Sequence, residues 1–284
     1  MVRIGAITDE FSHDPETAAR AMRAAGLETA ELRVLWGRNI LDLNDAEIDR
    51  ALGIFEKHRL AVDSIASPLL KCTLPDAPEL DARFQKDVFA SRHTYADQPR
   101  LAERSMQLAK RSGAGIVRVF SYWRTVDPEA VFERVVRALR DLANQAEEYA
   151  VIVGLENEHA CNISTGLETA RVLAAVDHPN LKVVWDPANA LVAGEDPMKG
   201  LTLLSAERIG HVHVKDCRTS ADGPEWVAVG DGRVRWEEQI AALRRENYAG
   251  DINLETHWSG PDGDKLEASR ICAANLRKLV AGSI

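Results

Sequence analysis

Short apolar runs alternate with longer amphipathic ones along the whole chain. The short runs are Val2–Thr8, Thr29–Leu35, Ala61–Ala66, Ile116–Tyr122, Val151–Glu156, Leu181–Asp186, Ile209–Lys215 and Asp251–Glu255. They are rich in Val and Ile and nearly continuous in apolar character, the pattern of strands buried on both faces of a parallel sheet. Helical punctuation lies between them. Asp14-Pro15 and Asp127-Pro128 each set an N-cap before a proline at the first helical position. Asn44 with Glu47 spells a capping box for a helix running to about His58, and Gly26 and Gly113 fall where helices end. Apolar spacing of three and four predicts helices over Val131–Tyr149 and Lys265–Val280.

Eight such β-then-α units in order make either a closed barrel or a large open doubly wound sheet. The open sheet needs a glycine-rich nucleotide loop after its first strand. Here that loop reads Thr8-Asp9-Glu10-Phe11-Ser12, without glycine. The pattern therefore predicts an α/β fold, a (β/α)8 TIM barrel, with residues 1–284 as one domain. Two connections are long, Ser67 to about Asp97 after the third strand and roughly Cys217–Gly232 after the seventh. Both leave the C-terminal ends of strands, the face on which such barrels carry their chemistry.

Composition narrows the partners. A net charge of −9 and a pI near 5.5 argue against a nucleic-acid binder, which needs a basic face. Cys72, Cys161, Cys217 and Cys272 lie far apart with no paired spacing, so neither a disulfide framework nor a structural zinc site is expected. The first residues lack the apolar core of a signal peptide, and no stretch reaches the roughly 18 apolar residues of a membrane helix. The expectation is a cytoplasmic protein with no membrane partner.

The last positions of strands five to eight carry the candidate chemistry: Glu156, Asp186, His213 and Glu255. Taken singly, each has an ordinary alternative. Glu156 can pair with an arginine such as Arg118, Asp186 before Pro187 can cap the next turn, and His211 and His213 share a face that suits core histidines. Taken together, three carboxylates brought to one point repel each other unless a cation neutralises them. A divalent ion is the simplest solution. An oxygen-plus-imidazole set suits Mn²⁺ foremost, with Mg²⁺, Co²⁺ or Zn²⁺ as alternatives.

Around these positions run Gly154-Leu155-Glu156-Asn157, Val184-Trp185-Asp186-Pro187-Ala188-Asn189, His211-Val212-His213-Val214-Lys215-Asp216, Val229-Gly230-Asp231-Gly232 and Asn253-Leu254-Glu255. With these segments the chain resembles the xylose isomerase-like TIM barrels of the sugar phosphate isomerase/epimerase superfamily, over nearly its whole length. The resemblance implies metal ligation by Glu156, Asp186, His213 and Glu255. It also implies that Glu156 and Glu255 exchange a proton at the carbon beside a carbonyl, through an enediolate. Many relatives carry a histidine three residues after the strand-six aspartate. Asn189 stands there instead, which disfavours a several-metal endonuclease site and suits a sugar hydroxyl.

Further residues expected at the mouth are Glu158, His159, Lys71, Arg118, Lys215 and Arg218, with Trp36 and Trp123 as platforms for a sugar ring. For Lys215 the local alternative is an ion pair with Asp216, and for the tryptophans it is packing under a loop. Cys72 reads as a buried thiol rather than a nucleophile. The function expected is a metal-dependent isomerase/epimerase acting on a sugar or keto-sugar. The alternatives are a metal-dependent lyase or dehydratase and, less favoured, a non-catalytic sugar-binding barrel. The partner is a small sugar-like molecule, and the resemblance implies a homo-oligomer.

Overall fold

The computed structural model describes residues 2–84, 92–220 and 223–282. Eight parallel strands close into a barrel: β1 (Ile4–Ile7), β2 (Thr29–Leu32), β3 (Ala61–Leu69), β4 (Ile116–Val119), β5 (Ile152–Glu156), β6 (Leu181–Trp185), β7 (Ile209–Val214) and β8 (Asp251–Leu254). Each pairs with its sequence neighbours, and β1 pairs with both β2 and β8, with Ile4 opposite Ile252. The expected (β/α)8 barrel is therefore the fold.

Helices separate the strands, with α1 (Pro15–Ala24), α2 (Asp45–Lys57), α3 (Gln98–Ser112), α4 (Phe132–Tyr149) and α5 (Gly166–Val176) following the first five. The short helices α6 (Pro187–Val192) and α7 (Pro197–Thr202) follow β6, α8 (Trp236–Arg245) follows β7, and α9 (Lys265–Gly282) follows β8. The predicted punctuation operates. Asp14 accepts the Thr17 amide at 2.9 Å, and Asn44 and Glu47 exchange both capping-box bonds. Gly113 ends α3 at φ +75°, the left-handed conformation that favours glycine.

The pleat divides the strand residues into two sets. Ala30, Leu32, Val153, Leu155, Val212, Val214, Ile252 and Leu254 are buried in the apolar core. The alternate positions point into the barrel and are polar: Thr29, Glu31 and Arg33, then Arg118, Glu156, His211 and His213, then Asn253 and Glu255. Bonds between β2 and the non-neighbouring β7 and β8, such as Thr29 Oγ1 to Asn253 Oδ1 at 3.2 Å, cross this interior. Branched aliphatic side chains usually fill such a space.

Some boundaries differ from those expected. The second strand ends at Leu32 rather than Leu35, because the chain turns into a hairpin, Val34–Leu35 against Arg38–Asn39. Its turn residues Trp36 and Gly37 have φ of +50° and +74°, the left-handed pair of a tight hairpin turn. The third strand continues to Leu69, so the long connection begins at Leu70 rather than Ser67, and positions 85–91 of it lie outside the described residues. The fourth strand stops at Val119 rather than Tyr122, where Tyr122 takes φ +60°. The segment after β7 is no plain loop. Asp216–Ser220 and Gly223–Val227 form an antiparallel hairpin, with positions 221–222 outside the described residues. Among the described residues no helix is long and apolar enough to cross a membrane.

Candidate metal centre

Strand ends β5 to β8 bring Glu156, Asp186, His213 and Glu255 together. One ligand atom from each lies within 4.8 Å of the others, and all four residues are buried. Proline at the first position of α6 starts that helix directly after Asp186. Asp186 Oδ1 caps it by accepting the Asn189 amide at 2.9 Å, while Oδ2 is left facing the cluster. The capping role and the cluster role thus fall to different oxygens of one carboxylate. Glu156 likewise has Arg118 Nη1 at 3.2 Å from Oε2, yet remains in the cluster.

Three cations already stand among these carboxylates. Lys215 Nζ lies 2.7 Å from Asp186 Oδ2 and 2.8 Å from Glu255 Oε2. Arg33 Nη1 lies 2.8 Å from Glu255 Oε1 and Nη2 holds Asp9 and Glu10 at 2.9 and 2.7 Å. Arg118 spans Glu156 and Glu255. Burial opposes the charge on Glu255, but Lys215 and His213 outweigh it and hold its carboxyl well below the usual range. At Asp186 burial prevails over Lys215 and pushes the carboxyl up to about 6. Burial also opposes charge on Lys215 and His213, and the surrounding carboxylates hold both well above their usual values.

Glu156 Oε2, Asp186 Oδ2 and His213 Nδ1 are fully buried and make no well-formed hydrogen bond. Buried polar atoms seldom stay so. His213 Nδ1 faces Glu156 Oε1 at 3.5 Å and Glu255 Oε2 at 3.4 Å. Buried ligand atoms of the right type gathered around one point, two of them now facing only a side-chain cation, fit a divalent cation.

A cavity of about 600 Å³ opens over the cluster, with Arg33, Lys71, Arg118, Glu158, His159 and Glu255 in its wall. Lys71 and Glu158 are buried and 3.4 Å apart. His159 Nδ1 stands 2.8 Å from Glu158 Oε1 and 2.9 Å from Asn189 Oδ1, and Asn189 Nδ2 donates to Glu156 Oε1 at 3.2 Å. A polar chain therefore runs from the cavity wall to the cluster.

Three expectations for flanking residues need correction. Lys215 pairs with Asp186 and Glu255 rather than Asp216, whose carboxylate accepts backbone amides of Cys217, Gly230, Gly232 and Val234. Arg218 is exposed on the hairpin after β7, donating to the Asp231 carbonyl at 3.2 Å, and does not line the cavity. Trp36 sits at its hairpin turn with the Arg50 guanidinium 5.1 Å from the ring and is likewise absent from the wall. Trp123 is half-buried behind the wall, with Lys71 Nζ 5.6 Å from its ring. Burial pushes the Cys72 thiol up to about 12, in keeping with an inert buried cysteine.

Sequence reasoning missed Glu31, Arg33, Trp226 and His257. Trp226 packs edge-on to His257, ring centroids 4.6 Å apart, and lies 5.7 Å from Lys215 Nζ. Glu31 within β2 and Arg33 just past its end alternate with Ala30 and Leu32, a signal that could have found them.

A parallel barrel with acidic and imidazole groups on its strand ends defines a class of proteins with chemistry at the C-terminal face. A family model described as xylose isomerase-like TIM barrel matches residues 19–277, and the chain belongs to that family. It is 29% identical over 162 residues to the D-psicose 3-epimerase of Ruminiclostridium cellulolyticum, covering 54% of this chain and 53% of that one. It is 24% identical over 164 residues to the inosose dehydratase of Lactiplantibacillus plantarum, covering 52% and 54% respectively. The matches thus span about half the length of these curated relatives. Among solved structures, the IolI protein with a bound zinc atom superposes with a TM-score of 0.78 at 15% identity, covering 100% of this chain and 99% of that one. At that identity the likeness shows the fold alone.

Proposed function

We propose that this protein is a divalent-metal-dependent isomerase or epimerase acting on a sugar or keto-sugar. The observation that carries the reading is the buried cluster of Glu156, Asp186, His213 and Glu255, which reaches the wall of a cavity through Glu255. These four residues would hold the ion, with Mn²⁺ the first choice, and the zinc-bearing IolI structure keeps Zn²⁺ in view. When bound, a divalent ion polarises a substrate carbonyl and stabilises the charge left when the adjacent carbon loses its proton.

Glu156 and Glu255 then take and return that proton. Arg33 and Lys215 keep Glu255 ionised and ready to accept it. Glu158, His159, Lys71 and Asn189 bind and orient substrate hydroxyls along the polar chain. The matches to an epimerase and a dehydratase support proton abstraction beside a carbonyl as the shared first step. The substrate is a small molecule, and four buried cysteines outside any disulfide are in keeping with work in the cytoplasm.

A second reading, elimination, is favoured by Lys215, whose buried ammonium, 2.7 Å from Asp186 Oδ2, sets a positive charge where a leaving oxygen would become negative. Elemental analysis of the purified protein and of Glu156→Gln, Asp186→Asn, His213→Asn and Glu255→Gln tests the site. Near-stoichiometric metal, depleted in the variants, is expected. Incubation of keto-sugars with Mn²⁺ in deuterium oxide tests the reaction. Deuterium incorporation with an isomeric product supports epimerisation, and loss of water supports elimination. A protein that takes up no metal and exchanges no proton sinks both readings.

A further inference from the structure

We propose that Glu31 is a positioning residue for His213, accepting the hydrogen bond of its Nε2–H so that Nδ1 is the nitrogen presented to the carboxylate cluster. The role rests on His213 being a metal ligand, as proposed above.

A neutral imidazole has one N–H and one lone pair, and the partner of one nitrogen decides the state of the other. His213 Nε2 lies 3.0 Å from Glu31 Oε2. Its Nδ1 faces Glu156 and Glu255 and makes no hydrogen bond. Glu31 belongs to β2 and reaches across the barrel to β7, so the contact does not follow from strand pairing. Its carboxylate sits in a full set of donors. Oε2 also receives His211 Nε2 at 3.1 Å and Asn253 Nδ2 at 3.3 Å, and Oε1 receives the Ser64 hydroxyl at 3.2 Å.

The network also fixes the plane of the ring. His211 meets His213 edge-on, centroids 5.4 Å apart and planes at 86°. Asn253 is itself oriented, accepting from Thr29 at 3.2 Å and donating to Asp63 at 2.9 Å. A carboxylate behind a ligating histidine sets its tautomer and raises its basicity, and loss of such a partner commonly weakens metal binding about 10- to 100-fold.

The test measures Mn²⁺ affinity of the full chain and of Glu31→Gln by competition with a chromophoric chelator. Binding about 10- to 100-fold weaker in the variant is expected. Equal affinity overturns the role of Glu31 while leaving the quartet standing, and a wild type that binds no cation overturns both. Nuclear magnetic resonance of the isotope-labelled, cadmium-loaded wild type needs no variant and decides the matter should Glu31→Gln not fold. Nitrogen–cadmium coupling at Nδ1, with a slowly exchanging Nε2–H, is the expected signature, and coupling at Nε2 overturns the proposal.

Discussion

Lys215 holds Asp186 across the floor of the barrel, Nζ to Oδ2 at 2.7 Å. The ammonium therefore occupies part of the charge-neutralising role that a divalent cation would take, and the two compete for the same carboxylates. Replacing Lys215 with Met is expected to tighten Mn²⁺ binding at least about tenfold, since a like charge a few ångströms away is removed. The same variant should lose about 100-fold or more in kcat, because a cation that keeps Glu255 ionised goes with it. Calorimetry and steady-state kinetics measure the two effects separately. Weaker metal binding in the variant would make the ammonium a supporter of the site and not a rival.

Metal should stabilise the fold as well as serve it, because the three carboxylates and the imidazole are buried whether or not an ion is present. Saturation with Mn²⁺ at about a hundred times its Kd is worth about 2.7 kcal/mol, or about 5 °C in Tm for a chain of this size. Thermal melts with Mn²⁺ and with a chelator should differ by that amount. The difference should vanish in Asp186→Asn.

Beneath the cluster, Asp63 carries a pH dependence of its own. Burial first, and then the nearby Glu31, push its carboxyl up to about 6 from an ordinary 3.8. Between those values the folded protein holds a proton that the unfolded chain has released, so stability from this group falls as pH rises through the window. The loss is complete above about 6 and amounts to about 3 kcal/mol. Urea unfolding from pH 4 to 7 should show Asp63→Asn gaining on the wild type across that range. A constant difference would mean that Asp63 ionises alike in both states.

The cavity wall makes a specificity prediction. Lys71→Met breaks the contact with Glu158 and should lower kcat/KM on any accepted sugar at least about tenfold. Arg218→Ala and Trp36→Leu lie away from the wall and should stay within about twofold. A large loss from either would return those residues to the substrate path.

The eight strands were legible because burial on both faces leaves continuous Val- and Ile-rich runs, and the acidic and imidazole positions of β5 to β8 were legible because they terminate those runs. The β2 contribution was not. Glu31 and Arg33 alternate with Ala30 and Leu32, which reads as a strand with one wet face. Here the polar face is the barrel interior, and only closure of the sheet reveals that it is dry. The pairing of Lys215 with Asp216 failed for a related reason: adjacent strand residues point to opposite sides. Lys215 enters the barrel while Asp216 turns toward the loop behind it. Trp36 was misplaced because the strand leading to it breaks at Leu32, so the side chain belongs to a hairpin turn rather than a strand end.

The four amides gathered by Asp216 have a bearing on how this barrel can be remade. One carboxylate clasps Cys217 on one side and Gly230, Gly232 and Val234 on the other, closing the whole excursion after β7 at its base. What lies outside that clasp, including the hairpin with Trp226, is attached like a cassette. An engineer seeking a different substrate preference can therefore graft hairpins of other lengths between Cys217 and Gly230, keeping Asp216 and the glycines as the splice points and a residue in place of Trp226 to cover His257 and Lys215.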